Sequence, residues 1–268
     1  MNSTKKVHIL GIPIDESSSF MVGPALAPTR IRQVLHWGSA NLTTERGMDL
    51  GVSDQWAHVG DLTLGVGDEA RTQIEAGIRH HLSLADHVLS LGGDHAVTYP
   101  IIRAYTEKYP NLTIIQFDAH PDLYDNIDGN RYSHGCPFAR IMEEQQVERL
   151  VQVGIRTLNS HQKAQAERFG VEIIDAWRWQ DIFNLSFEGP VYISLDLDVF
   201  DPAFAPGISH HEPGGLSPRD VFTILQTLNI NLVGADVVEL NPHRDLVDMT
   251  AMLAAKCVKE LLARMLEA

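Results

Sequence analysis

The sequence predicts an α/β protein of three layers (α/β/α), in which helices cover both faces of a mostly parallel central sheet. Short apolar or β-branched runs alternate with amphipathic stretches along the chain, which is the pattern of strands joined by crossover helices. The runs are short and mostly apolar or β-branched, as in buried strands. No repeat and no linker rich in Pro, Gly or Ser divides the 268 residues, so we expect one domain over residues 1–268.

Six runs are predicted as strands because they are short, apolar and rich in Val, Ile and Leu. In chain order they span residues 7–11, 87–91, 112–117, 150–155, 191–195 and 232–238. Six stretches are predicted as helices because their apolar residues recur at helical spacing. They span residues 27–35, 69–84, 97–108, 162–169, 218–228 and 247–266. The last helix has the clearest pattern, with Leu253, Leu261 and Leu262 on its apolar side and Lys256 and Lys259 on its polar side.

The charge of the chain restricts its partners. With 35 acidic and 21 basic residues the formal net charge is −14, which disfavours binding to nucleic acid or to an anionic membrane. A small cationic substrate is compatible with this charge. The two cysteines, Cys136 and Cys257, lie far apart and form no zinc or disulfide motif, as expected in a reducing compartment. Residues 8–12 are too short and mixed for the apolar part of a signal peptide, so a cytoplasmic location is expected.

Acidic and histidine residues follow three of the predicted strands. Asp118, His120 and Asp122 alternate directly after the strand 112–117, so their side chains point to one side. The strand 191–195 runs into two carboxylates with the same spacing, and the strand 87–91 is followed by Asp94 and His95. In a parallel sheet these segments meet beyond the carboxyl ends of the strands, where ligands bind. The predicted metal ligands are His95, Asp118, His120, Asp122, Asp196 and Asp198.

The charge of this set predicts two divalent cations. Four carboxylates crowded into a cleft repel one another strongly, whereas two divalent ions balance their charge if both imidazoles are neutral. The set is rich in oxygen and lacks thiolate, which favours Mn²⁺, with zinc or iron as the alternatives.

Four blocks of sequence resemble the ureohydrolases, the arginase and agmatinase family. They are Gly-Gly-Asp-His at 92–95, Asp-Ala-His-Pro-Asp at 118–122, Ser-Leu-Asp-Leu-Asp at 194–198 and Asp-Pro-Ala-Phe-Ala-Pro-Gly at 201–207. Within the family, the segments 132–134, 138–143, 205–217 and 234–242 resemble plant-type arginases most. The resemblance covers nearly the whole chain and implies a three-layer α/β fold and a homo-oligomer, either a trimer or a hexamer.

The resemblance also implies a division of the metal ligands between two manganese ions per subunit. His95 and Asp122 would bind one ion, His120 and Asp198 the other, and Asp118 and Asp196 both. The expected reaction is hydrolysis of L-arginine to L-ornithine and urea by a hydroxide that bridges the ions.

Three residues are predicted to act in this reaction. Asp122 would orient the hydroxide, and Glu239, after the strand 232–238, would bind the guanidinium nitrogens with its carboxylate. His134 resembles the proton-shuttle histidine of the family and would protonate the departing amine.

The substrate is less well defined by the sequence. Asn130, Ser133, His210 and His211 are predicted to bind the far end of the substrate. The block 154–157 lacks the aspartate that animal-type arginases use for the α-amino group, but 208–211 reads Ile-Ser-His-His where agmatinases often have Gly-Thr-Gly-Thr. Arginine is therefore preferred, with agmatine or guanidinobutyrate as alternatives. Two other classes are a one-metal zinc amidohydrolase of the deacetylase type and a non-enzymatic scaffold that binds metal or amino acids.

Overall fold

The computed structural model describes residues 5–267 of the chain, which contain one eight-stranded sheet. The strands are β1 (Val7–Ile12), β2 (Trp56–Asp61), β3 (His87–Gly92), β4 (Leu112–Phe117), β5 (Val147–Ile155), β6 (Glu172–Asp175), β7 (Pro190–Asp196) and β8 (Asn231–Val238). All neighbouring strands pair in parallel, in the order β2-β1-β3-β8-β7-β4-β5-β6. The four central strands β3, β8, β7 and β4 have almost completely buried side chains, which explains why their sequences are mostly apolar.

Helices cover both faces of the sheet, so the predicted three-layer fold is confirmed. They are α1 (Ala27–Leu35), α2 (Gly67–Leu84), α3 (Thr98–Lys108), α4 (Pro137–Glu144), α5 (Ser160–Phe169), α6 (Pro218–Thr227) and α7 (Met249–Glu267). One apolar core packs α1, α6 and α7 against the sheet, and a second core packs α2 to α5 against its other face. No helix in the described range 5–267 combines the length and the apolar composition needed to cross a lipid bilayer.

Two strands and one helix are absent from the sequence prediction. The strands β2 and β6 lie at the two edges of the sheet and are partly exposed, so neither has the continuous apolar run of a buried strand. The helix α4 has only eight residues and begins with Pro137, which reads as a loop signal as readily as a helix start. The alternation of buried strands with helices nevertheless gives the correct fold class.

The register of the central strands aligns a row of polar side chains across the buried sheet. Ser90 of β3 pairs with Asp236 of β8, Asp236 with Ser194 of β7, and Ser194 with Gln116 of β4. The four strands end at nearly the same level just beyond this row. The segments that follow them therefore meet at one edge of the sheet, the edge formed by the carboxyl ends of the strands.

Candidate active site

Short turns after the central strands fix the acidic and histidine side chains at this edge. Asp196, the last residue of β7, caps the 3₁₀ turn Leu197–Val199 by accepting a hydrogen bond from the backbone N–H of Asp198 (2.8 Å). Asp94 caps the turn His95–Val97 in the same way, through the N–H of Ala96 (3.1 Å). The carboxylate of Asp94 is therefore engaged with backbone, and it is His95 that reaches the other acids.

His95 lies at the centre of the first cluster. Its Nδ1 atom is 3.1 Å from Asp118 Oδ2, 3.0 Å from Asp122 Oδ2 and 3.2 Å from Asp196 Oδ2. Its other ring nitrogen, Nε2, is 2.9 Å from the hydroxyl of Ser194, which in turn donates to Asp236. Because Ser194 accepts from Nε2–H, the lone pair of Nδ1 faces three carboxylate oxygens, and Nδ1 makes no hydrogen bond of good geometry within the described chain.

His120 forms the second cluster with Asp198 and Asp118. The distance from His120 Nδ1 is 2.7 Å to Asp198 Oδ2 and 3.5 Å to Asp118 Oδ1. Asp118 therefore takes part in both clusters, with one oxygen toward each histidine. The six predicted metal ligands are brought together in two groups that share a carboxylate.

This arrangement fits divalent cations. Ligand atoms at right angles around an ion at about 2.1 Å are about 3.0 Å apart, close to the spacings around His95 Nδ1. Burial, followed by the charge of neighbouring carboxylates, raises the pKa of Asp122 and Asp196 above the usual aspartate range and that of Asp198 to about 6. Cations would relieve both effects, so the donor set suits oxygen-preferring metal ions.

Glu239 and His134 form an ion pair beside the clusters. Glu239 has φ of 66°, a costly conformation for a residue with a side chain, which is held by its N–H donating to Gly93 O (3.0 Å). Its Oε1 atom lies 2.9 Å from His134 Nδ1 and accepts from the N–H of His95 (2.9 Å). Burial disfavours the charged imidazole, but the Glu239 carboxylate outweighs it and raises the pKa of His134 to about 9.

A cavity of about 490 Å³ opens over both clusters and this pair. It is large enough for a small-molecule substrate. Its lining includes the acids Asp122, Asp196, Asp198 and Glu239, with His134 and His210 beside them.

Comparisons with known proteins agree with this geometry. The sequence model of the Arginase family matches residues 5–263. Arginase 1, mitochondrial, of Arabidopsis thaliana is 47% identical over 96% of this chain and 80% of that protein. The chain belongs to the arginase family. An agmatinase of Bacillus anthracis is 33% identical over 96% of this chain and 91% of its own length. The solved structure of arginase from Medicago truncatula superposes with a TM-score of 0.93 at 42% identity, covering 99% of this chain and 89% of that chain.

In this arginase-family enzyme, buried polar side chains hold the predicted ligands from behind. Asp236 is fully buried and accepts hydrogen bonds from Ser194 (2.7 Å), Tyr192 (2.9 Å) and Thr98 (3.0 Å). On the neighbouring strand, Gln116 donates to Asp118 Oδ2 (2.7 Å). The same row of the sheet therefore orients a histidine on one side and an aspartate on the other.

The structure places only some of the residues predicted to bind the far end of the substrate in the cavity lining. Of these four residues, His210 lines the cavity, as does Glu239, the residue predicted to bind the guanidinium end. Ser133 is buried and donates to Ser17 O, whereas the Asn130 side chain accepts from the N–H of Tyr132. His211 is exposed, with Nε2 2.8 Å from Pro206 O. Asn130, Ser133 and His211 are thus placed outside the cavity lining, since their polar groups are used by nearby loops.

Several polar residues of the cavity were not predicted. They are Ser19, Tyr124, Asn126, Asp128, Thr157, Gln162 and Ser209. Ser19 comes from the loop after β1, far from the metal motifs in sequence, and its only signal is a run of three serines beyond the end of a strand. Gln162 lies in the first turn of α5, and the others lie on loops whose course depends on tertiary packing.

Proposed function

We propose that the protein is an arginase that hydrolyses L-arginine to L-ornithine and urea with two Mn²⁺ ions per subunit. The observation that carries the proposal is the pair of largely buried acid and histidine clusters sharing Asp118, in a chain 45–47% identical to five plant proteins named arginase. Proteins named agmatinase are more distant, at 33% identity.

The predicted ligands would hold the ions as two overlapping sets. His95 and Asp122 would bind one ion, and His120 and Asp198 the other, with Asp118 and Asp196 serving both. Asp196 Oδ1 accepts from the backbone N–H of Asp198, so its Oδ2 atom is the one that faces His95 and remains for metal. When bound, two such cations lower the pKa of water and so supply a nucleophile near neutral pH.

Glu239 and His134 would bind the guanidinium group and protonate the departing amine, respectively. Within the described chain, hydrogen bonds to Glu239 use only Oε1, so Oε2 is available to a guanidinium N–H in the cavity. With its pKa raised to about 9, His134 is protonated at neutral pH and can donate a proton to the departing amine. Asp122 would orient the attacking water from the floor of the cavity.

One feature favours agmatine as a second candidate substrate. Among residues 5–267, the cavity lining contains the additional carboxylate of Asp128 but no Lys or Arg that could pair with the α-carboxylate of arginine. Agmatine lacks that carboxylate, so an acidic rim would attract its free amine.

The two substrates are distinguished by urea release from arginine, agmatine and guanidinobutyrate, measured side by side on Mn²⁺-loaded protein. We expect the highest kcat/KM for arginine. Preferential cleavage of agmatine would overturn the substrate assignment, and no urea from any of the three would overturn the reaction class. Elemental analysis of the active protein, with Zn²⁺- and Fe²⁺-loaded samples as comparison, tests the identity and number of the ions.

We also propose a trimer or hexamer in the cytoplasm. Exposed apolar side chains, including Trp177 and Val247, support assembly because a partner subunit would cover them. Both cysteines are buried and free, which suits a reducing compartment. Light scattering coupled to gel filtration tests the assembly, and cell fractionation tests the location, which differs from the mitochondrial names of several plant relatives.

A further inference from the structure

The loop that follows β1 is fixed firmly over the candidate site. At its base, the Asp15 carboxylate accepts hydrogen bonds from the N–H groups of Gly23 (2.6 Å) and Ala25 (3.1 Å). In its centre, Ser17 donates its N–H to Asp94 Oδ2 (3.0 Å), and its carbonyl accepts from the N–H of His134 (3.1 Å). Because the loop is tied both to the end of β3 and to the segment that carries His134, the position of the next residues is well defined.

Ser19 is the residue of this loop that reaches the ion pair. Its hydroxyl oxygen lies 2.8 Å from Nε2 of His134, and His134 Nδ1 lies 2.9 Å from Glu239 Oε1. Both nitrogens of the imidazole therefore have a partner, one from the loop and one from the end of β8. Ser19 is exposed and lines the cavity, so its hydroxyl belongs to the wall that a substrate would meet.

A hydroxyl can partner this nitrogen in both charge states of the ring. When His134 is charged, Nε2 carries a proton and donates to the Ser19 oxygen. When His134 is neutral, with its proton on Nδ1 toward Glu239, Nε2 accepts the Ser19 O–H instead. A carboxylate could only accept and an ammonium group could only donate, so neither would serve both states.

We propose that Ser19 is a positioning residue that holds the His134 ring against Glu239 before and after the ring gives up its proton. The inference rests on the proposed function, in which His134 protonates the departing amine. Without the hydroxyl, the ring would be held at one nitrogen only, and it would be less often aligned for proton transfer. Substrate contacts through Glu239 would remain, so the loss should fall on kcat rather than on KM.

The kinetic test compares Ser19→Ala, Ser19→Thr and wild-type protein, all loaded with Mn²⁺ and checked for equal metal content. We expect Ser19→Ala to lower kcat for urea release roughly 10- to 100-fold with KM changed less than about twofold. Ser19→Thr keeps a hydroxyl and should recover most of the rate. Ser18→Ala is the matched control because the Ser18 hydroxyl faces Asp94 (3.4 Å) rather than His134, and it should behave as wild type.

A second readout tests the contact without metal or turnover. Diethyl pyrocarbonate acylates neutral, accessible imidazole nitrogens, and peptide mapping by mass spectrometry can follow its reaction at His134. In metal-free protein at pH 9, which matches the raised pKa of His134 and leaves about half of the rings neutral, we expect His134 to react severalfold faster in Ser19→Ala than in wild type, Ser19→Thr or Ser18→Ala, because Nε2 loses its partner.

Two results would overturn the inference: an unchanged kcat in Ser19→Ala, or equal His134 reactivity in all four proteins. A wild type that releases no urea from any guanidino compound would refute the proposed function instead. The chemical modification would still decide whether Ser19 restrains His134 in that case.

Discussion

At the scale of single residues, one carboxylate oxygen of Glu239 links the metal-ligand clusters to His134, the predicted proton donor. Oε1 accepts from the backbone N–H of His95, beside the clusters, and lies 2.9 Å from the ring of His134. Its strand-end position was predictable, because a carboxylate following a buried strand in a parallel sheet points to the functional edge. Its pairing with His134 was not, because 105 residues separate the two in the chain.

Replacing the Glu239 carboxylate should impair substrate binding. In Glu239→Gln, one guanidinium acceptor becomes an amide that presents N–H to N–H, so we expect kcat/KM for arginine to fall roughly 10- to 100-fold. Metal content should stay the same. Steady-state urea assays check the rate, with Glu188→Gln, just before β7 at the opposite edge of the sheet, as the matched control. Unchanged kcat/KM would remove Glu239 from the substrate site.

The same ion pair should make stability depend on pH. The pKa of His134 in the folded chain, about 9, lies above its ordinary value of 6.5. The pair therefore stabilises the fold fully below pH 6.5, and its contribution is lost as the pH rises through 9. Urea unfolding of metal-free protein should show a larger stability difference between wild type and His134→Gln at pH 6 than at pH 10. Equal differences at the two pH values would contradict the assignment.

At the scale of secondary-structure elements, the central strands carry a polar row one level below the metal clusters. The sequence indicated the ligands because Asp-x-His-x-Asp and Asp-x-Asp after apolar strands are locally visible patterns. It did not indicate Ser194, Asp236 or Gln116 as their supports, because only the register of β8 against β7, and of β7 against β4, brings these residues together. Edge strands such as β6 escaped prediction for a related reason, since their identity depends on which strand they join.

Removing the hydroxyl of Ser194 should weaken metal binding. Ser194→Ala leaves His95 Nε2 without its partner, whereas Asp236 keeps the hydroxyls of Tyr192 and Thr98. We expect metal affinity to fall roughly 10- to 100-fold. Titration with Mn²⁺ monitored by calorimetry measures the affinity. Ser90→Ala is the matched control, since Ser90 lies on the same row in β3 while the hydrogen bond to His95 comes from Ser194. Equal affinities in the two variants would exclude this support.

At the scale of the whole molecule, the chain combines a net charge of −14 with a buried group of four aspartates. Overall charge was available from composition, but the concentration of acids at one edge of the sheet depends on the fold. Without cations, that group opposes folding through repulsion and desolvation. Metal should therefore contribute to stability as well as to activity.

Metal removal should lower the melting temperature. Metal present at about 100 times its Kd would stabilise the folded state by about 2.7 kcal/mol. For a protein of this size, that corresponds to a decrease in Tm of roughly 5–10 °C after chelation. Thermal unfolding followed by circular dichroism, with and without EDTA and after Mn²⁺ is added back, measures the shift. If Tm is the same with EDTA, without EDTA and after Mn²⁺ is added back, the result would argue against bound ions among the four buried aspartates.

The position of β8 has a consequence for how the protein is made. This strand is the last to be synthesised, yet it lies in the middle of the sheet, between β3 and β7. Until it leaves the ribosome, the nascent chain holds β2-β1-β3 and β7-β4-β5-β6 as two unjoined blocks with open hydrogen-bonding edges. His95 belongs to the first block and the aspartates and His120 to the second, so the cluster around His95, and with it the complete centre, waits for β8 to join the blocks. Maturation is therefore a late event in biogenesis, and it follows the insertion of a single strand.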